Sequence, residues 1–167
     1  MYKTQRAFSL IELLVVCCLI FLLGTLGFAH SSFLNKMVVR GEAKKLYQVC
    51  SHLRSKALAT QSEHTVTFDT KNNFYFVDGV QEKLPRFVQF GFLSGTKGPP
   101  STSTIPITSA ITFKKNRILF GPSGKVQAGT VYLVDKNKKH MYALSSPVSH
   151  IPLLRIYYHD GKKWRLL

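Results

Sequence analysis

The stretch Phe8-Ser9-Leu10-Ile11-Glu12-Leu13-Leu14-Val15-Val16 decides how the rest of the chain is read. It opens an apolar run in which no charge follows Glu12 until Lys36, a span of 23 residues from Leu13 to Asn35. As a helix rising about 1.5 Å per residue, such a run crosses a hydrocarbon core of about 30 Å. A short leader, 1–7, precedes it and carries Lys3 and Arg6. Glu12 is the sole side-chain carboxylate before Glu42. An acid at the centre of a membrane span costs roughly 2.5–3.5 kcal/mol, and less near an end. Glu12 stands four residues beyond Phe8, about 6 Å along a helix, and its cost falls further if it meets a cation.

Two plain readings account for part of this pattern. One is a secretory signal peptide, with Lys3 and Arg6 as its basic region and Gly27-Phe28-Ala29 as a small-x-small cleavage site. Its apolar region would be long and would contain Glu12, which such segments avoid. The other is a single-pass anchor in which Glu12 is incidental. Both place the basic leader inside and the C-terminal bulk outside.

A basic leader, a small residue, then Phe-Ser-Leu-Ile-Glu and a hydrophobic helix resembles the type IV prepilin signal. The resemblance implies cleavage between Ala7 and Phe8 by a prepilin peptidase and methylation of the new Phe8 amine. Ala7 stands where that family usually has glycine. It also implies an assembly role for Glu12, pairing with the Phe8 amine of a neighbouring pilin-like subunit; its own Phe8 amine is a second candidate. Ala29 stands where major pilins often carry proline, which points to a minor subunit.

Beyond the span, Val39, Ala43, Leu46, Cys50, Leu53 and Ala57 recur at alternating spacings of four and three, with Arg40, Lys44, Gln48 and Ser55 off that stripe. This predicts an amphipathic helix over 36–61 that continues 8–35 and lays its stripe on whatever follows. The combined helix would run to about 50 residues, or about 75 Å. After Gln61 the period changes to two. Val66 and Phe68 alternate with Thr65, Thr67 and Asp69; Lys71-Asn72-Asn73 marks a turn, and Phe74-Tyr75-Phe76-Val77 ends at Asp78-Gly79, the pattern of a hairpin. Further strands are expected at 87–93, 111–113, 117–120, 130–134, 141–144, 153–158 and 164–167. The stretch 94–109, rich in Gly, Pro, Ser and Thr, is expected to be a mobile, exposed loop whose trimming costs little.

The expected fold is therefore α+β: a long N-terminal helix, transmembrane then amphipathic, packed on an antiparallel β-sandwich-like domain over 62–167 that faces the periplasm. The strand ending in Phe120, then Gly-Pro-Ser-Gly and Thr130-Val131-Tyr132-Leu133, resembles the C-terminal part of the GspH/FimT family. That family comprises minor pseudopilins of type II secretion and minor pilins of type IV pili. The resemblance implies a pilin-like fold in a bacterial inner-membrane protein, single-pass, that is extracted into a periplasmic filament for protein secretion.

The chain holds 23 Lys and Arg against 8 Asp and Glu, a formal net charge of +15. Such a balance suits an acidic partner, whether anionic lipid, an acidic protein or nucleic acid, or serves solubility alone. The densest group is Tyr157, Tyr158, His159, Lys162, Lys163, Trp164 and Arg165, where cations alternate with aromatics. Lys162, Lys163 and Arg165 are candidate contacts to DNA phosphates, which would suit a DNA-uptake pilin. The alternative is a hairpin with core aromatics and solvated turn lysines. Gly121-Pro122-Ser123-Gly124-Lys125 lacks the spacing of a nucleophile elbow and is too short for a phosphate-binding loop. The six histidines show no metal-ligand spacing, and Cys17, Cys18 and Cys50 make no disulfide framework. No catalytic residues, metal or cofactor are expected, and no enzymatic activity.

Overall fold

Helix α1 spans Leu10–Thr60, 51 residues. Its first turn is closed by the residues that open it. The Ser9 hydroxyl accepts the Ile11 N–H at 3.2 Å, and Glu12 Oε2 accepts the Ser9 N–H at 3.0 Å. This is the reciprocal capping box of Ser-x-x-Glu, which satisfies backbone donors that a helix start leaves unpaired. The computed structural model describes residues 9–147 and 154–167, with no side chain described at 25–33 or at Ser101. Ala7 and Phe8, the expected cleavage site, lie outside the described residues.

The chain divides into two units, one up to Leu34 and one from Asn35 to Leu167. In the first, Leu10, Ile11, Leu13, Leu14, Val15 and Val16 are all exposed, although these positions go right round the helix. Among the described residues no helix is long and apolar enough to cross a membrane; the expected span, 8–35, is described only in part.

In the second unit the stripe on α1 is buried. Val39, Ala43, Leu46, Cys50, Leu53 and Ala57 each retain 2% exposure or less. Among the described residues nine strands follow: β1 (His64–Asp69), β2 (Phe74–Val77), β3 (Val80–Lys83), β4 (Val88–Phe90), β5 (Arg117–Phe120), β6 (Gly129–Asp135), β7 (Met141–Ser146), β8 (Arg155–His159) and β9 (Trp164–Leu166). They form two sheets, β3-β2-β1-β5 and β4-β6-β7-β8-β9, antiparallel throughout. The helix stripe, Val66, Phe68, Tyr75, Ile118 and Phe120 of the first sheet, and Val131, Leu133, Tyr142, Leu144 and Ile156 of the second make one core. Two ion pairs tie α1 to the β2–β3 hairpin: Lys45 to Glu82 at 2.9 Å and Lys56 to Asp78 at 3.2 Å. The fold is α+β, with a helix packed on antiparallel sheets as the sequence predicts.

Three local expectations are corrected. Asp78-Gly79 does not end the hairpin but turns it once more. Both residues have positive φ, 48° and 89°, and Val77 pairs with Val80 across them. That geometry is the two-residue turn that Asp-Gly favours. β3 escapes the alternation rule because, as the edge of its sheet, it is largely exposed and polar. Residues 111–113 form no strand; Ile111 makes an isolated bridge to Val131, while Ile111 and Phe113 are buried.

The third correction concerns 94–109, which is largely exposed as expected but is anchored by backbone hydrogen bonds and by the buried Ile107. Backbone bonds run from Gly98 N–H to Ile105 O and from Ile107 N–H to Thr96 O, and a 3₁₀ helix Pro100–Thr102 closes the tip. The reason lies in β6 and β7. Val131 and Leu133 face the main core, so Tyr132 and Val134 face the other side of the sheet. There they join Met141, Ala143 and Tyr157 in a second apolar cluster with Ile107, Phe92, Leu93 and Trp164. A sheet apolar on both faces needs cover on both; α1 supplies it on one and this loop on the other.

Candidate functional site

The two regions that the sequence singles out sit in different units and are described separately. At the head of α1, the exposed Glu12 carboxylate is engaged by the Ser9 N–H. The prepilin resemblance assigns Glu12 to a partner subunit and not to this local role, although Ser9-x-x-Glu12 is itself a helix-start signature. One carboxylate oxygen suffices for the cap, and a carboxylate has acceptor capacity for a further donor.

The C-terminal cluster is organised by Asp160. Its Oδ1 accepts the N–H groups of Lys162 at 3.0 Å and Lys163 at 2.9 Å, and its Oδ2 accepts Arg165 Nε at 2.8 Å. The N–H of Lys163, then that of Lys162, and the Arg165 guanidinium hold the Asp160 carboxyl well below the usual carboxylate range. Arg165 is thereby occupied within its own hairpin. Tyr157 is buried in the second cluster, Tyr158 stacks at 5.0 Å on Tyr142, and Lys36 Nζ lies 4.7 Å from the Tyr158 ring centre. The aromatics are mostly core, as the hairpin alternative holds.

Lys162 and Lys163 differ from Arg165. They are exposed and line a cleft of about 570 Å³ between the β8–β9 turn and the packed loop. The opposite wall brings Lys97, which sequence distance hid from the cluster; its carbonyl accepts the Trp164 indole N–H at 2.9 Å and fixes the loop over the turn. His159 also lines the cleft yet is only 7% exposed. Burial holds its imidazole below the usual histidine range. Its Nδ1 accepts the Gly161 N–H at 3.2 Å, so in the neutral ring the proton sits on Nε2.

A third constellation was not foreseen. His64 Nδ1 lies 2.6 Å from Asp78 Oδ2, and His64 Nε2 lies 3.2 Å from both Thr60 and Ser62 hydroxyls. Asp78 also accepts the Thr65 N–H at 3.1 Å and Lys56 Nζ at 3.2 Å. Burial alone would raise the Asp78 carboxyl, but these donors outweigh it and the net shift is downward. The network clamps the end of α1 to the first hairpin. Among the described residues no group of three or more His, Cys, Asp or Glu could hold a metal ion. Cys50 is fully buried in the core, which pushes its thiol up to about 12 and makes it inert packing.

No protein-family model matches this chain, and no curated protein matches it. Among solved structures it is similar to the minor pseudopilin EpsH from the type 2 secretion system of Vibrio cholerae, at 15% identity and a TM-score of 0.47, over 77% of this chain and 95% of that one. At that identity and score the likeness decides nothing about function, and the functional proposal stands on the residues of this chain.

Proposed function

We propose that this chain is a non-enzymatic structural subunit, a minor pseudopilin of a type II secretion pseudopilus or type IV pilus-like filament that serves protein secretion. The observation that carries the reading is the order of parts. Phe-Ser-Leu-Ile-Glu heads an apolar helix whose side chains from Leu10 to Leu23 are bare, and the same helix then buries a stripe under a two-sheet domain. An apolar helix with exposed side chains is suited first to a bilayer and then to a bundle of like helices. On this reading the leader 1–7 is removed by prepilin peptidase, Phe8 is methylated, the β-domain faces the periplasm, and neighbouring pilin-like subunits cover the apolar stretch. Pairing of Glu12 with a neighbour's Phe8 amine guides docking.

Intact-mass analysis of protein from membranes that hold a prepilin peptidase tests the reading. The expected product begins at N-methylated Phe8. A product beginning at His30 or Ser31 would instead establish a secretory signal peptide, and unprocessed chain a plain anchor. Glu12→Ala is expected to insert into the membrane as well as wild type but to crosslink poorly to other filament subunits; equal crosslinking would remove the assembly role of Glu12.

A second reading, a DNA-binding minor pilin for DNA uptake, draws on Lys162 and Lys163 beside Trp164. It predicts tight binding to duplex DNA near physiological salt that Lys162→Ala with Lys163→Ala abolishes. The salt slope should then fall by about one unit for each phosphate that is no longer neutralised. The secretion reading predicts weak binding there and little change.

A further inference from the structure

The cleft between the packed loop and the β8–β9 turn, two of whose lysines the DNA-uptake reading draws on, has the features of a site for a small ligand. Three cations, Lys97, Lys162 and Lys163, line it, and none has an acidic partner among the described residues. Asp160, two residues before Lys162 in the sequence, turns its oxygens to the hairpin backbone and Arg165. His159 is more than nine-tenths buried, and its Nε2 has no hydrogen-bond partner among the described residues while the residue lines the cleft. The Nε2 atom itself is not sealed off, so its N–H is a donor that water or a ligand can reach. Gly95 and Gly161 also line the cleft with open space where a side chain would stand, so a ligand can approach the main chain closely.

We propose that this cleft binds a phosphate monoester. The cations are lysines, point charges that bind phosphate, and the one nearby arginine is held by Asp160. Three cations match the near-dianionic charge of a monoester better than the single charge of a diester. The His159 N–H supplies a donor at the floor, and the Trp164 ring supplies a flat wall against which the remainder of the ester can lie.

Trp164 is the sole tryptophan of the chain and lines the cleft, so its fluorescence reads the site directly. The experiment uses the full chain in a polyoxyethylene detergent at fixed ionic strength, titrated with inorganic phosphate, glucose 6-phosphate, glucose, dimethyl phosphate and dihexanoyl phosphatidic acid. Saturable change is expected with inorganic phosphate and the monoesters. Binding should weaken by about tenfold or more in Lys162→Gln with Lys163→Gln, and measurably in Lys97→Gln. Lys114→Gln with Lys115→Gln, an equal loss of charge outside the cleft, should leave it unchanged. Tightest binding of glucose 6-phosphate identifies a soluble ester, and tightest binding of phosphatidic acid a lipid headgroup; both support the site. Absence of saturation, binding of dimethyl phosphate or glucose as tight as that of the monoesters, or equal weakening by the Lys114 and Lys115 changes would overturn it.

Discussion

Two stretches of α1 both carry apolar side chains, and these meet opposite fates. Between Leu10 and Leu23 the large side chains are exposed, Leu10 at 83% and Ile20 at 64%. Between Val39 and Ala57 the apolar side chains fall on one stripe and disappear under the two sheets. The difference is one of pattern. The second stretch confines its apolar residues to a face narrow enough for one sandwich to cover, and places Arg40, Lys44 and Gln48 on the rest. The first is apolar all round, and no single sheet can cover every face of a helix. It needs surroundings that are apolar on all sides, as a bilayer or a bundle of helices provides.

The contrast breaks most readily in the core. Leu46→Ala or Leu53→Ala is expected to cost about 2–5 kcal/mol, as large-to-small changes at buried leucines do. Leu14→Ala should leave the stability of the β-domain unchanged. Denaturant titration followed by Trp164 fluorescence compares them; equal losses would show that the bare stretch is packed in the isolated chain after all.

The cover on the outer face of the second sheet offers the next test. Removing 96–104 discards the Trp164-to-Lys97 hydrogen bond and the Thr96 carbonyl that holds Ile107 on the second cluster, so about 2 kcal/mol or more should be lost. A loss below about 0.5 kcal/mol would mean that the loop lies on the sheet without supporting it.

The α1–hairpin clamp is smaller. Asp78→Ala should cost about 1 kcal/mol, since it strands donors on Thr65, His64 and Lys56 that solvent partly rescues. The groups with lowered pKa give a pH signature. His159, held low by burial, contributes stability that is present above its unfolded value of about 6.5 and falls away as pH drops through its folded value. Asp78 and Asp160, both held low, contribute above about pH 4 and lose that contribution on further acidification. Unfolding midpoints from pH 8 to 2 should therefore fall in two stages, and His159→Gln should flatten the first.

The smallest effect belongs to the head of α1. Glu12→Gln keeps an acceptor for the Ser9 N–H but removes the charge, so the helix start should weaken by no more than about 0.5 kcal/mol. Ser9→Ala with Glu12→Ala removes both halves of the box and should fray the first turn, seen as faster amide exchange at Ile11 and Leu13. Unchanged exchange in the double variant would show that the cap contributes nothing there.

Residue order sufficed wherever short-range pattern is in control. The stripe from Val39 to Ala57, the Val66–Phe68 and Phe74–Val77 hairpin, and the turn at Asp160-Gly161 were all legible, because periodicity and turn chemistry are local. Asp78-Gly79 was legible too, but the polar edge strand behind it hid the second turn. Long-range packing settled the rest. Lys97 meets Lys162 and Lys163, and Arg165 leaves them for Asp160, because the outer apolar face of β6 and β7 draws residues 94–109 across the sheet. Cover for an apolar face can come from anywhere in the chain, so composition marked this segment as a loop and burial made it a wall.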